Sequence, residues 1–207
     1  IMKNPLSYQT TEYDCGPTTM INAIRYLFRR EEIPPDVVKS IMLYCLDSYN
    51  DKGESGKSGT SGMAMMFLSN WLNQFGRVKG FPIRCEFLTG RDVSFGPNSR
   101  IVSGLQQGGA VVLRVRYQCW HYVLLTGVRE QSFFLFDPYY RRNPFKAEGI
   151  EMIRNMPAER NRKVSIRLME SEGKGYYAAG PVDGREAVIL FNRRTQKTPA
   201  DTIEYFI

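Results

Sequence analysis

The sequence predicts an α+β fold in which N-terminal helices pack on an antiparallel β-sheet. Three observations predict it. Apolar residues recur at three- and four-residue spacing in the first third of the chain. After Gly76 the spacing changes to two. The later apolar runs are short, rich in β-branched and aromatic residues, and joined by hairpin-length links. Helices first and strands afterwards imply segregated layers rather than alternating βαβ units.

Each element follows from its own residues. Met20, Ile21, Ala23, Ile24, Leu27 and Phe28 give one apolar helical face, and Pro17 suits a first helical turn because it has no N–H to leave unpaired. Cys15 therefore lies at the helix's N-terminal edge. A second helix opens at Pro34-Pro35-Asp36 and carries Val37, Ile41, Met42 and Cys45 inward. From Asp47 to Gly62 the composition shifts to Gly, Ser, Lys and Asp, the mark of a surface loop. A third helix follows, with Met63, Phe67, Trp71, Leu72 and Phe75 read as its core side.

Ile83, Cys85 and Phe87 alternate as in a strand, and a short helix around Ser99 to Gln107 leads into the β-rich part. Ala110 to Val115, Tyr122 to Val128 and Phe133 to Phe136 read as strands, the last two joined by Arg129 to Ser132. Further on, Lys163 to Met169 alternates through Val164, Ile166 and Leu168. Ala187 to Phe191 forms another β run after the Gly180-Pro181-Val182-Asp183-Gly184 turn.

Composition bounds the function. At 207 residues, with 43% hydrophobic and 24% charged, the chain fits one large domain or one with an appendage, and excludes disorder, collagen and coiled coil. The net charge of +7 reads as a solvated basic surface, because no block of five like charges occurs and no basic, aromatic-interleaved motif marks a nucleic-acid module. No apolar run approaches the roughly eighteen residues of a membrane span. The first residues lack the succession of a signal peptide.

Cys15, Cys45, Cys85 and Cys119 are widely spaced with no CxxC pair, so neither zinc nor a disulfide framework is expected, and a reducing, cytoplasmic setting is the simplest. No metal or organic cofactor is implied. Gly56-Lys57-Ser58 suggests a phosphate-binding loop, but Asp51 stands where its first glycine belongs and no apolar strand precedes it.

What remains is a thiol constellation. A cysteine is a strong nucleophile as thiolate, and a helix N-terminus favours that state. Thiol catalysis also needs an imidazole to pair with the thiolate and protonate the leaving group. His121 is the chain's sole histidine. One hairpin later Asp137 closes the partner strand, where a carboxylate can fix the imidazole's tautomer; taken alone, Asp137 before Pro138 is as readily a turn residue. Gln9 supplies a side-chain N–H that, with the backbone N–H of Cys15, suits a developing oxyanion. Glu12 and Asp14 flank the cysteine, and Asp14 reads as a cap or loop brace. Cys45, Cys85 and Cys119 read as buried, inert thiols.

The string Gln9…Asp14-Cys15-Gly16-Pro17, then Trp120-His121-Tyr122-Val123, then Phe136-Asp137-Pro138 resembles the papain-like cysteine peptidases related to the double-glycine leader peptidases that process bacteriocins. The match runs from about Tyr8 to Tyr140. It implies a papain-like catalytic domain over residues 1–145, with Cys15 as nucleophile, His121 as general base and acid, Asp137 as orienter and Gln9 in the oxyanion hole. Residues 146–207 are then a β-rich extension packed on the same domain. The implied reaction is hydrolysis of a peptide or related amide through a thioester, on a peptide or protein substrate. Two alternatives remain at this stage: acyl transfer to an amine or thiol from the same site, and a papain-like shell that binds peptides without cleaving them.

Overall fold

The structure is a computed structural model in which residues 5–198 are described. Five helices and seven strands follow in the order α1 (Cys15–Leu27), α2 (Pro35–Cys45), α3 (Gly62–Lys79), β1 (Ile83–Thr89), α4 (Arg100–Gln106), β2 (Ala110–Tyr117), β3 (Cys119–Arg129), β4 (Ser132–Phe136), β5 (Ile150–Met152), β6 (Arg162–Ser165), α5 (Ile166–Met169) and β7 (Glu186–Asn192). The fold is α+β, with helices packed on one antiparallel sheet of order β1-β7-β2-β3-β4-β6-β5.

Local signals set the helix ends. Pro35 opens α2 at a position where its missing N–H costs nothing. The Ser61 hydroxyl accepts the Ala64 N–H at 3.1 Å and so caps α3, and Gly80, at φ 71°, ends it in the left-handed conformation that glycine adopts without strain.

Strand alternation splits the core between two faces. Ala110, Val112, Tyr122, Leu124, Val188 and Leu190 meet α1, α2 and α3 on one side. Val111, Leu113, Val115, Val123, Leu125 and Ile189 meet α4 and the segment that carries Met169 and Tyr177 on the other. Strand β7, the last in sequence, lies inside the sheet. It pairs with β1 from Ile83↔Asn192 to Thr89↔Glu186, and with β2 from Ala110↔Leu190 to Leu113↔Ala187. Residues 146–198 thus contribute β5, β6 and β7 to the same sheet as the rest.

Several expectations need correction. Met42 of α2 faces outward, as do Met63 and Phe67 of α3, which are 69% and 46% exposed. The buried side of α3 is Ala64, Met65, Leu68, Ser69, Leu72 and Gly76, rotated from the aromatic side the spacing suggested. Gly76 lies on this side because the end of the helix comes close to the chain that leads into β1: a Cβ there would stand 2.7 Å from the Phe81 carbonyl oxygen. Residues 163–169 are not one strand, since β6 stops at Ser165 and α5 takes up Ile166 to Met169. Cys119 is exposed, unlike Cys45 and Cys85.

These packing roles predict opposite responses to mutation. Leu190→Ala, at a fully buried position of the internal strand β7, is expected to cost about 2–5 kcal/mol in urea unfolding. Met63→Ser on the outer face of α3 should stay within about 0.5 kcal/mol of the parent.

Candidate active site

Two hydrogen bonds align the elements that carry the candidate residues. The Thr19 hydroxyl on α1 donates to the Tyr122 carbonyl on β3 at 3.1 Å, and the Tyr26 hydroxyl donates to the Thr126 carbonyl at 3.1 Å. Helix and strand therefore run in the same direction, which brings the first turn of α1 to the start of β3. Cys15 and His121 meet there.

The loop before α1 is organised by a carboxylate. Asp14 accepts the N–H groups of Thr10 and Thr11, at 3.0 and 2.6 Å, and the hydroxyls of Thr11 and Thr18, at 2.7 and 3.3 Å. Burial works to raise its pKa, but these hydrogen bonds outweigh it and hold the group below the ordinary value. Of its two expected roles Asp14 takes the brace, because its side chain makes no cap bond to the helix. Glu12 is exposed.

On the other side of the junction His121 and Asp137 share one face of β3 and β4. His121 Nε2 lies 2.8 Å from Asp137 Oδ1, and the two side chains are 6% and 0% exposed. With Nε2 engaged, the remaining ring nitrogen is Nδ1, and the Cys15 side chain is near enough to favour the charged imidazole. The carboxylate is held from several directions: Oδ1 accepts the Tyr139 N–H at 2.8 Å and Oδ2 the Tyr177 hydroxyl at 2.6 Å. Asn161 brackets its backbone, accepting the Asp137 N–H and donating to the Asp137 carbonyl, both at 2.8 Å.

These contacts decide the charges. Burial alone would lower the His121 pKa, but the Asp137 charge and hydrogen bond, with Cys15 adding to them, reverse that and raise it to about 10. For Asp137, burial pushes upward, while His121, the Tyr177 hydroxyl and the Arg162 charge prevail and lower it. Burial and the neighbouring Asp137 charge raise the Tyr177 pKa well above normal, so its phenol stays a neutral donor. Tyr117 and Tyr139 flank the imidazole with ring centroids 5.3 and 6.5 Å away, and Phe145 and Tyr176 close around Tyr117. Water is thereby kept from the pair.

Gln9 joins the same neighbourhood through its backbone, whose N–H donates to the Pro138 carbonyl at 2.9 Å. Its side-chain nitrogen donates to the Thr11 carbonyl at 2.7 Å, which commits one of two N–H groups, and its Oε1 is buried without a partner. All four sequence-predicted residues thus come to one region. Sequence reasoning missed Tyr177, Asn161 and Arg162, which hold Asp137 from the C-terminal third; no motif announces them, and only the alternation around Val164 marked the strand that brings Arg162 in. Gly56-Lys57-Ser58 lies in a surface loop, with Lys57 paired to Glu54 at 2.8 Å. Among the described residues no group of His, Cys, Asp and Glu could hold a metal ion, and no helix is long and apolar enough to cross a membrane.

No protein-family model and no curated protein matches the chain. Among solved structures it is similar to a double-glycine motif protease from an AMS/PCAT transporter in complex with the leader peptide, with a TM-score of 0.43 and 10% identity over 90% of this chain and 89% of that one. It is similar also to the peptidase domain of Streptococcus mutans ComA, at 0.39 and 12% over 90% and 98%. A third is the peptidase domain of a Streptococcus ComA, a bi-functional ABC transporter involved in quorum sensing, at 0.43 and 13% over 90% and 97%. These are the peptidases the sequence resembles.

The charge pattern sets a titration that can be read directly, because His121 is the sole histidine. Its NMR signals should titrate near pH 10 in the parent protein and toward or below 6.5 in Asp137→Asn, where burial is no longer opposed by the carboxylate. Stability follows by linkage. A His121 value raised above 6.5 makes its contribution full below that pH and lost as pH rises through about 10. The depressed Asp137 contributes above its ordinary 3.8, and that contribution is lost as pH falls through the lower folded value. Thermal melts across pH should show both flanks in the parent, the alkaline one lost in Asp137→Asn and the acid one reduced to what Asp14 and other depressed carboxylates contribute.

Proposed function

We propose that the protein is a cysteine peptidase that hydrolyses a peptide or related amide bond through a thioester on Cys15. The observation that supports this most is the buried His121–Asp137 pair beside the first turn of α1, in which the carboxylate holds one ring nitrogen and leaves the other for the Cys15 thiol, whose side chain already favours the charged imidazole. An imidazole with its ionised form this strongly favoured takes the thiol proton readily. The thiolate then attacks the scissile carbonyl carbon. As the carbonyl π bond opens, negative charge collects on oxygen, where the backbone N–H of Cys15, unpaired as the first of its helix, and the second N–H of Gln9 can receive it.

Collapse of the tetrahedral adduct breaks the C–N bond, and His121 gives its proton to the departing amine. Water enters, His121 takes a proton from it, and the hydroxide oxygen attacks the thioester. The acid is released and the thiol regains its proton. Asp137 stays ionised throughout, since Tyr177, the Tyr139 N–H and Arg162 favour its charge independently of His121. Burial raises the pKa of both Cys45 and Cys85, which sets these thiols apart as unreactive.

Cys15→Ala should abolish peptide turnover while the melting transition is retained; residual cleavage at the parental rate would remove the assignment. Gln9→Ala is expected to lower kcat by about a hundredfold with little change in KM, because the donated hydrogen bond matters chiefly once charge has developed. A loss confined to KM would make Gln9 a binding residue. Running the assay with and without added amine separates hydrolysis from acyl transfer.

A further inference from the structure

Strands β2 and β3 place a second group of side chains at the level of Cys15, on the sheet face opposite His121. The alignment set by Thr19 and Tyr122 allows their level to be worked out. Cys15 stands one turn before Thr19, about 6 Å along the helix, and Trp120 two residues before Tyr122, about 6.6 Å along the strand. The two elements are parallel, so Cys15 and Trp120 reach the same level of the same sheet face.

Around Trp120 lie two arginines of very different standing. Arg116 is the cross-strand partner of Trp120, and Arg114 that of Tyr122. The guanidinium carbons lie 3.5 Å and 4.3 Å from the indole centroid for Arg116 and Arg114. Arg114 is neutralised: its Nη1 is 3.3 Å from Glu186 Oε2, and its Nη2 donates to the Gly184 carbonyl. Arg116 has no such partner. Among the described residues no carboxylate pairs with it, its Nε is buried without a hydrogen bond, and the guanidinium stacks on the indole with Gly180 alongside. Both Arg116 and Trp120 are half-buried, so part of each reaches solvent at the rim.

An indole behind a guanidinium fixes the plane of the fork and leaves its N–H groups free for an anion with two oxygens. The His121–Asp137 pair carries no net charge when both are ionised, and Arg116 stands without a compensating carboxylate on the sheet face and at the level of the thiol. We infer that Arg116, stacked on Trp120, is a substrate subsite for a carboxylate, borne on an acidic side chain near the scissile bond or at a chain end. This deepens the peptidase reading and rests on it. A peptide offers no other common anion to a guanidinium at this place.

Two alkylating reagents that differ chiefly in a carboxylate provide the test. Iodoacetate and iodoacetamide are reacted with Cys15 in the parent, in Arg116→Gln and in Arg116→Lys, with the site of labelling read by mass spectrometry. The ratio of the two rate constants should fall by about five- to tenfold in Arg116→Gln and be largely kept in Arg116→Lys, while attraction by the imidazolium is common to all three. A ratio indifferent to Arg116→Gln overturns the subsite and leaves the peptidase reading standing. Whether the carboxylate is a side chain or a terminus is read from a peptide pool cut by the parent, with Cys15→Ala as blank. The cuts should lie near acids, and that bias should weaken in Arg116→Gln. Cuts without such a bias count against the subsite. Absence of any Cys15-dependent cleavage defeats the peptidase reading instead, and the reagent ratio still decides whether Arg116 draws anions to Cys15.

Discussion

The structure depends on a carboxylate kept ionised where no water reaches it. Asp137 is wholly buried, and an isolated charge in such a place would cost several kcal/mol. It is tolerated because the imidazole, a phenol, a backbone N–H and a nearby guanidinium all favour the charged form. Each of these donors must itself be brought in by the fold. His121 comes from β3, Tyr139 from the turn after β4, Tyr177 from the segment after α5, and Arg162 from β6. The requirement to solvate one charge with protein atoms thus ties together elements far apart in sequence.

That requirement gives the C-terminal third a physical role. Tyr177 is fully buried and sits at φ 63°, a left-handed conformation that is costly for an aromatic residue. Its backbone N–H donates to the Arg116 carbonyl at 2.8 Å, and the Arg116 N–H donates to the Ala178 carbonyl at 2.8 Å, so the strained residue is clamped on the end of β2. The hydrogen bond to Asp137 and the aromatic contacts with Tyr117 and Phe145 offset the cost. β7 works in the same sense on the opposite face. Its Glu186 accepts the Tyr122 hydroxyl and pairs with Arg114 beneath the thiol side of the junction.

Much of this was legible from residue type and spacing. The change of apolar period at Gly76 gave the two-layer order, Pro17 and Pro35 located the helix starts, and the hairpin link between Tyr122 and Asp137 brought carboxylate and imidazole together. Periodicity failed on the buried face of α3. Met63 and Phe67 looked like core, yet the buried side of α3 runs through Ala64, Met65, Leu68, Ser69, Leu72 and Gly76, which mixes large and small residues where the helix meets its neighbours. The donors to Asp137 were illegible for another reason. Tyr177, Asn161 and Arg162 act through tertiary position, and no local pattern distinguishes them from other polar residues in a loop-rich stretch.

The glycine after the nucleophile shows how close approach can leave a trace in sequence. Glycine is a poor helix former, yet it occupies the second position of α1. A Cβ on Gly16 would stand 2.1 Å from Thr60 Oγ1, and one on Gly62 would stand 2.3 Å from Glu186 Oε2. Thr60 is held in turn by its carbonyl, 3.5 Å from the Tyr122 hydroxyl. The start of α3 and the residue pair before it are therefore pressed between the first turn of α1 and the start of β7, and the two glycines are the places where they fit. A side chain at Gly16 would have to displace either the loop or the helix start. The helix start carries the sulfur, so the close fit of Gly16 against Thr60 helps to set where Cys15 stands.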